Sequence, residues 1–202
     1  MILTHQKGRG SKIHLLIDGE YAVTTDENFW LDNYISDGTE LSEDEWQELL
    51  VKINYKKALN KCADFLSRRD HSVKELRDKL LRTVDPVSAD KAIERYLEAG
   101  YLDDERFCKT LVDYLFNTKK YSLSHIKQEC YKRGVDRDIV SRVLEDCEID
   151  NVSTVYRLLQ SKYASKLEQE NGQEKVIASL QRKGFYYSDI KSALDRFYEN
   201  DE

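Results

Sequence analysis

Three positions spaced fifty residues apart carry the same kind of side chain. Leu76, Ile126 and Val176 form one set, and Leu80, Cys130 and Leu180 form a second, four residues later in each copy. Arg82, Lys132 and Arg182 keep the same period. In the last two copies the match continues, pairing Arg133 with Lys183, Gly134 with Gly184, Val135 with Phe185, Asp138 with Ser188, Val140 with Ile190 and Leu144 with Leu194. A period of this length marks a tandem array of small supersecondary units. Apolar residues at i and i+4 share one face of a helix, so Leu76/Leu80, Ile126/Cys130 and Val176/Leu180 predict three equivalent helices with that face in the core. Cys130 stands at a leucine position and reads as a small buried hydrophobe. Gly134 and Gly184 fall where a helix ends on a left-handed residue.

Helical periodicity on both sides of these segments predicts three helices per unit. The first unit has them at 56–69, 72–82 and 88–99, the second at 104–118, 122–133 and 136–147, the third at 152–168, 173–183 and 188–198. Ser72, Ser122 and Ser188 are the expected N-caps of their helices. Asp103 or Asp104 caps the helix that follows, in preference to forming a carboxylate pair, since neighbours at a helix start do not converge on one atom. Phe107 then packs into the junction between units. Units of this size bury little alone, so neighbours must stack. The expected fold is mainly α: tandem three-helix repeats in an elongated, bent array, with a small N-terminal β-hairpin and helix. The boundaries predicted are an acidic N-terminal segment at 1–50 and repeats at 51–102, 103–150 and 151–202.

The N-terminal segment reads differently. Lys12–Ile17 and Tyr21–Thr24 predict two strands around the tight-turn residues Asp18, Gly19 and Glu20, with Ile13, Leu15 and Ile17 on one face. A lone hairpin is marginal in water and must pack on something. Asp26 is the expected N-cap of a helix over 27–34, ended by Gly38. Ser42 with Glu45 forms a capping box, and from there to Arg69 no Pro or Gly occurs, which predicts one long helix or two meeting near Asn54. No strand is evident beyond Arg69.

Charge is distributed unevenly. Residues 1–50 carry three basic and eleven acidic side chains, whereas the rest of the chain is nearly balanced within a net charge of −6. That argues against tight, charge-driven nucleic-acid binding and leaves room for local basic faces. The four cysteines, at 62, 108, 130 and 147, form no C-x-x-C pair, and the histidines show no metal-ligand spacing. No phosphate-binding glycine loop, zinc-protease helix or nucleophile elbow is present. The expectation is therefore a non-enzymatic protein with no metal or cofactor. No apolar run reaches the roughly 20 residues of a membrane span, and the first residues lack the layout of a secretory signal, so a cytoplasmic location follows.

The motifs read together resemble a known family. Ala58-Leu59 and Leu66-Ser67-Arg68-Arg69 are followed by Ser72-Val73-Lys74-Glu75-Leu76-Arg77-Asp78-Lys79-Leu80. Then come Leu97 through Phe107 (LEAGYLDDERF), Tyr131-Lys132-Arg133-Gly134-Val135, and Leu180-Gln181-Arg182-Lys183-Gly184-Phe185 with Asp189-Ile190. In order and over 55–198 they resemble the bacterial RecX regulators of the RecA recombinase. The chain departs from the pattern at Thr83-Val84-Asp85-Pro86, at Tyr121-Ser122, at Cys108 in place of a small Ala and at Cys130 in place of Leu.

The resemblance implies a monomer that binds RecA protein and the RecA–single-stranded-DNA filament, bridges protomers in its groove, and reduces strand exchange, ATPase and co-protease activity. The residues that would carry such contacts are basic: Arg68, Arg69, Arg77, Arg82, Lys119, Lys120, Lys127, Lys132, Arg133, Arg182 and Lys183. Each alone reads as a solvated helix face or as a cation favoured by a helix C-terminus, worth ~0.3–1 kcal/mol. Their recurrence at equivalent positions favours a shared function for the set. Tyr121, Tyr131, Tyr186 and Tyr187 read as packing residues ahead of base-stacking ones. Two alternatives stay open: a direct DNA-binding module competing for single strands, and a helical-repeat scaffold for another protein.

Overall fold

The computed structural model describes residues 1–147 and 149–199. The expected repeats 103–150 and 151–202 thus include Glu148 and residues 200–202, which lie outside the described residues. The chain divides into two compact units, one made of residues 1–71 and 76–102, the other of residues 72–75 and the chain from 103 onward.

The first unit opens on a four-stranded antiparallel sheet in the order β3-β2-β1-β4. Its strands are β1 (Ile2–Lys7), β2 (Lys12–Ile17), β3 (Glu20–Asp26) and β4 (Thr39–Glu40). The expected hairpin is present as β2 and β3, but it is not alone. β1 pairs beside β2 with Leu3 opposite Ile17 and Lys7 opposite Ile13. One face of the sheet is apolar: Leu3, Ile13 and Leu15 are buried with Phe29 and Trp30 of α1 (Glu27–Asp32). Asp26 caps α1 by accepting from the Phe29 N–H at 2.9 Å. The helix stops at Asn33, earlier than expected.

α2 (Glu43–Leu66) is one continuous helix of 24 residues, with no bend at Asn54. Its capping box is complete, because Ser42 Oγ accepts from the Glu45 N–H and Glu45 Oε2 accepts from the Ser42 N–H. The first half of α2 buries Trp46, Leu49 and Ile53 in the sheet core. The second half presents buried Ala58 and Cys62 to α4 (Pro86–Glu98), which buries Ala89, Ala92 and Ile93. Small residues on both helices permit close approach, and the Tyr96 hydroxyl reaches the Leu59 carbonyl at 3.1 Å. α2 therefore runs without interruption through residue 50, joining the acidic segment to the first helical triplet. α3 (Val73–Leu80) buries Leu76 and Leu80 completely.

In the second unit, α5 (Asp104–Asp113), α6 (Leu123–Lys132) and α7 (Arg137–Glu145) form one triplet. The other comprises α8 (Asn151–Leu158), α9 (Ala164–Leu167), α10 (Gly172–Gln181) and α11 (Tyr187–Glu199). Each triplet has its own core: Phe107, Ile126, Cys130 and Val140 lie in one, Val155, Val176, Leu180, Phe185 and Ile190 in the other. Two features differ from expectation. The leading helix of each triplet passes into a π-helical stretch, Tyr114–Thr118 after α5 and Leu159–Tyr163 between α8 and α9. Ser188 lies inside α11 and not at its cap. Tyr186 and Tyr187 are exposed by 62% and 58%, so neither is a core residue.

Candidate functional site

The middle helices meet their neighbours through a joint that occurs twice in the second unit. At the first joint, Ser72 is fully buried. Its Oγ accepts from the Glu75 N–H at 3.1 Å, which caps α3, and donates to the Arg133 carbonyl at 2.5 Å. The Val73 N–H donates to Asp104 Oδ1 at 2.8 Å, and Arg133 Nη1 donates to Glu75 Oε1 at 3.0 Å. At the second joint, Ser122 is equally buried. Its Oγ accepts from the His125 N–H at 3.2 Å and donates to the Gly184 carbonyl at 2.7 Å. The Leu123 N–H donates to Asn151 Oδ1 at 3.2 Å. A serine can do both tasks because its hydroxyl is one donor and two acceptors. Gly134 and Gly184 hold φ of +81° and +85° and end α6 and α10 as expected. Each also lets its neighbour close in: a Cβ on Gly184 would sit 2.7 Å from His125 Cβ, and one on Gly134 would overlap the Lys74 stem. Asp103 is the cap of α5, accepting from Glu105 and Arg106, which leaves Asp104 for Val73.

The joint shifts the ionisation of Asp104. Burial pushes its carboxyl above the ordinary value of 3.8, opposed by the hydrogen bond from Val73. The two core thiols shift in opposite directions, with the contact with Cys130 holding Cys108 below its ordinary value against the effect of burial. Cys108 and Cys130, both fully buried, place their sulfurs 4.0 Å apart. The contact with Cys108, followed by burial, raises Cys130, and burial raises Cys62 to about 11. The packing role read for Cys130 fits this setting.

The eleven basic candidates fall into two groups. In the first unit, Arg77 forms a two-point ion pair with Asp90, at 2.6 and 3.1 Å, and Arg68 pairs with Asp64 at 2.8 Å. Arg69 donates to the Asp70 carbonyl. In the second unit, Arg133 is held by Glu75, and Lys132 lies 3.6 Å from Glu129. These residues are engaged inside the chain. Arg82, Lys119, Lys120, Lys127, Arg182 and Lys183 form no ion pair among the described residues.

Two of that second group are brought together. The Lys183 ammonium donates to the Lys119 carbonyl and stands 5.0 Å from the Tyr121 ring centroid. Tyr121 in turn packs on His125, with ring centroids 4.3 Å apart. The Lys119 ammonium lies 5.4 Å from the Tyr114 ring centroid. Burial, then the like charges of Lys162 and Lys119, hold Lys183 below its ordinary value. Lys162 and His125 were not among the sequence candidates. Lys162 lies on the second π-helical stretch and Lys119 directly follows the first, and nothing in local periodicity marks where such a stretch delivers its side chains. Among the described residues no group of three His, Cys, Asp or Glu side chains is placed to hold a metal ion, and no helix is long and apolar enough to cross a membrane.

Fold and site define a tandem three-helix-repeat protein whose charged features lie on helix ends and connections. Comparison with known proteins gives the family. Residues 58–95 match the model of the RecX first three-helix domain, and residues 103–144 match that of the RecX second three-helix domain. The chain is 30% identical over 208 residues to "Regulatory protein RecX" of Bacillus subtilis (strain 168), spanning 99% of this chain and 78% of that protein. It is 29% identical to the protein of the same name from Caldanaerobacter subterraneus subsp. tengcongensis, over 96% and 99% of the two chains. A crystal structure of regulatory protein RecX superimposes with a TM-score of 0.64 at 19% identity, covering 96% of this chain and 97% of the other. RecX from Lactobacillus salivarius gives a TM-score of 0.60 at 22% identity, over 71% and 96%. The chain belongs to the RecX family of regulatory proteins.

Proposed function

We propose that this RecX-family chain binds RecA and the filament RecA forms on single-stranded DNA. In doing so it restrains strand exchange, ATP turnover and co-protease activity, and acts in DNA recombination, DNA repair and SOS regulation in the cytoplasm. Family membership supports the reading. The observation that carries it is the group of basic residues on the second unit, Lys119, Lys120, Lys127, Arg182 and Lys183, that no carboxylate of the described chain neutralises. A cation without an internal partner keeps its charge for an external one. Several such groups on consecutive three-helix repeats suit a partner that presents the same surface again and again, so that weak contacts combine without a deep pocket. The repeats proposed are 51–102, 103–150 and 151–202, with 1–50 leading into the first. Arg68, Arg77, Lys132 and Arg133 recede as partner contacts, because their charges are already matched.

The test is the ATPase of RecA on single-stranded DNA, titrated with this protein and with a Lys120→Glu, Lys127→Glu, Arg182→Glu variant. Inhibition by the native chain and a clear loss in the folded variant are expected. Unchanged inhibition removes these residues from the contact, and no effect of the native chain on ATP turnover leaves a scaffold for some other protein. If the chain acts by competing for the strand itself, its affinity for DNA without RecA falls steeply with salt.

A further inference from the structure

The two joints of the second unit are built largely from positions fifty residues apart, yet two carboxylates of the first, Glu75 and Asp104, give way at the second to His125 and Asn151. The first joint pairs Glu75 with Arg133 at 3.0 Å. The period places His125 where Glu75 stood and Lys183 where Arg133 stood. The second joint therefore keeps the cation and lacks the carboxylate. His125 leans on Tyr121 and packs against Gly184, and among the described residues the Lys183 ammonium has one hydrogen-bond acceptor, the Lys119 carbonyl. An ammonium has three donors. Burial, and after it the like charges of Lys162 and Lys119, disfavour protonation of Lys183. Lys183 is half-buried, Lys119 and Lys162 are exposed, and no acidic side chain of the described residues forms an ion pair with any of the three.

We propose that this second joint is a receptor for a carboxylate side chain presented by a protein partner, which docks on Lys183 with Lys119 and Lys162 and completes from outside the ion pair that the first joint makes internally. The first joint is the template: the same framework of capping serine, left-handed glycine and terminal cation accepts a glutamate there. A carboxylate is favoured over a nucleic-acid phosphate because it is the group the framework already holds at the first joint. The proposal rests on the reading above only in taking the partner to be RecA.

The test is a variant that supplies the missing group from within. His125→Glu puts a carboxylate at the position equivalent to Glu75. Binding of a fluorescent octaglutamate peptide to the full chain is measured by anisotropy, beside a dT oligonucleotide of similar length. Octaglutamate should bind the native chain and His125→Gln alike, and weaken about tenfold with His125→Glu, the scale of one charge-assisted contact. Should His125→Glu fail to fold, Lys183→Gln is expected to weaken the peptide to a similar extent. Octaglutamate that binds His125→Glu as well as the native chain, or binds neither while the oligonucleotide binds and is displaced by His125→Glu, overturns the proposal. RecA ATPase separates the two readings. Loss of peptide binding with unchanged RecA inhibition upholds the carboxylate site and rejects RecA as its occupant.

Discussion

The hydroxyl of Ser122 donates to the carbonyl of Gly184, 62 residues away, at 2.7 Å, while the same oxygen caps its own helix through the His125 N–H. One small side chain thus starts a helix and fastens the end of another. Ser122→Ala removes the cap of a fully buried serine and leaves the half-buried Gly184 carbonyl short of a partner. The expected loss is about 2 kcal/mol, read from the urea unfolding midpoint.

Gly184 and Gly134 share a left-handed backbone with Gly100, whose φ is +71°. Alanine at Gly100 meets nothing within 4 Å and bears only the conformational strain, about 1–2 kcal/mol. Alanine at Gly184 must also displace His125 and Ser122, and alanine at Gly134 the Lys74 stem. Thermal melting should therefore rank Gly100→Ala as the mildest of the three. Equal losses at all three would mean that neither joint depends on close approach.

Asp104 gives a pH-dependent expectation. Its carboxyl titrates higher in the folded protein than the ordinary 3.8, so the folded state holds the proton more tightly and the ionised form lowers stability at neutral pH. The stability lost on ionisation is restored as pH falls through the folded value towards 3.8. Asn can accept from the Val73 N–H as Asp104 does, and the second joint already uses Asn151 in that way. Asp104→Asn should stabilise the protein at pH 7, with a gain that shrinks to nothing below about pH 4. A constant difference across that range would assign the effect to packing.

The thiols separate by burial. Cys62, Cys108 and Cys130 are fully enclosed, and Cys147 is partly exposed with its Sγ 3.2 Å from the Val143 carbonyl. In the native protein a thiol-reactive disulfide reagent should modify Cys147 first and the other three only on unfolding. Rapid native labelling of Cys108 or Cys130 would show that their core opens easily.

The core of the repeats was legible because its period is long and its residues apolar: Leu76, Leu80, Ile126, Cys130, Val176 and Leu180 are all fully buried. The Ser42–Glu45 capping box, the caps at Ser72 and Ser122 and the left-handed Gly134 and Gly184 were legible from residue type, whereas the cap expected at Ser188 was not found. The second duty of Ser72 and Ser122 was not, because a cap motif reports only on its own helix. β1 was missed because just one of its six residues, Leu3, is buried, so the alternation that marks a strand is faint. The site was half legible. Arg133 and Lys183 were equivalent in sequence, but only the three-dimensional neighbours Glu75 and His125 show that one is neutralised and the other is not.

The unbroken α2 has a consequence for how the first unit comes apart. A single rod is clamped by the sheet over Trp46 and Ile53 and by α4 over Ala58 and Cys62. Neither half can let go without fraying the other, so deuterium should enter the amides of β2 and of α4 on one schedule, as a single foldon. A chain trimmed to start at residue 51 would not liberate a tidy first repeat. It would leave the leading helix of that repeat with its anchor cut away.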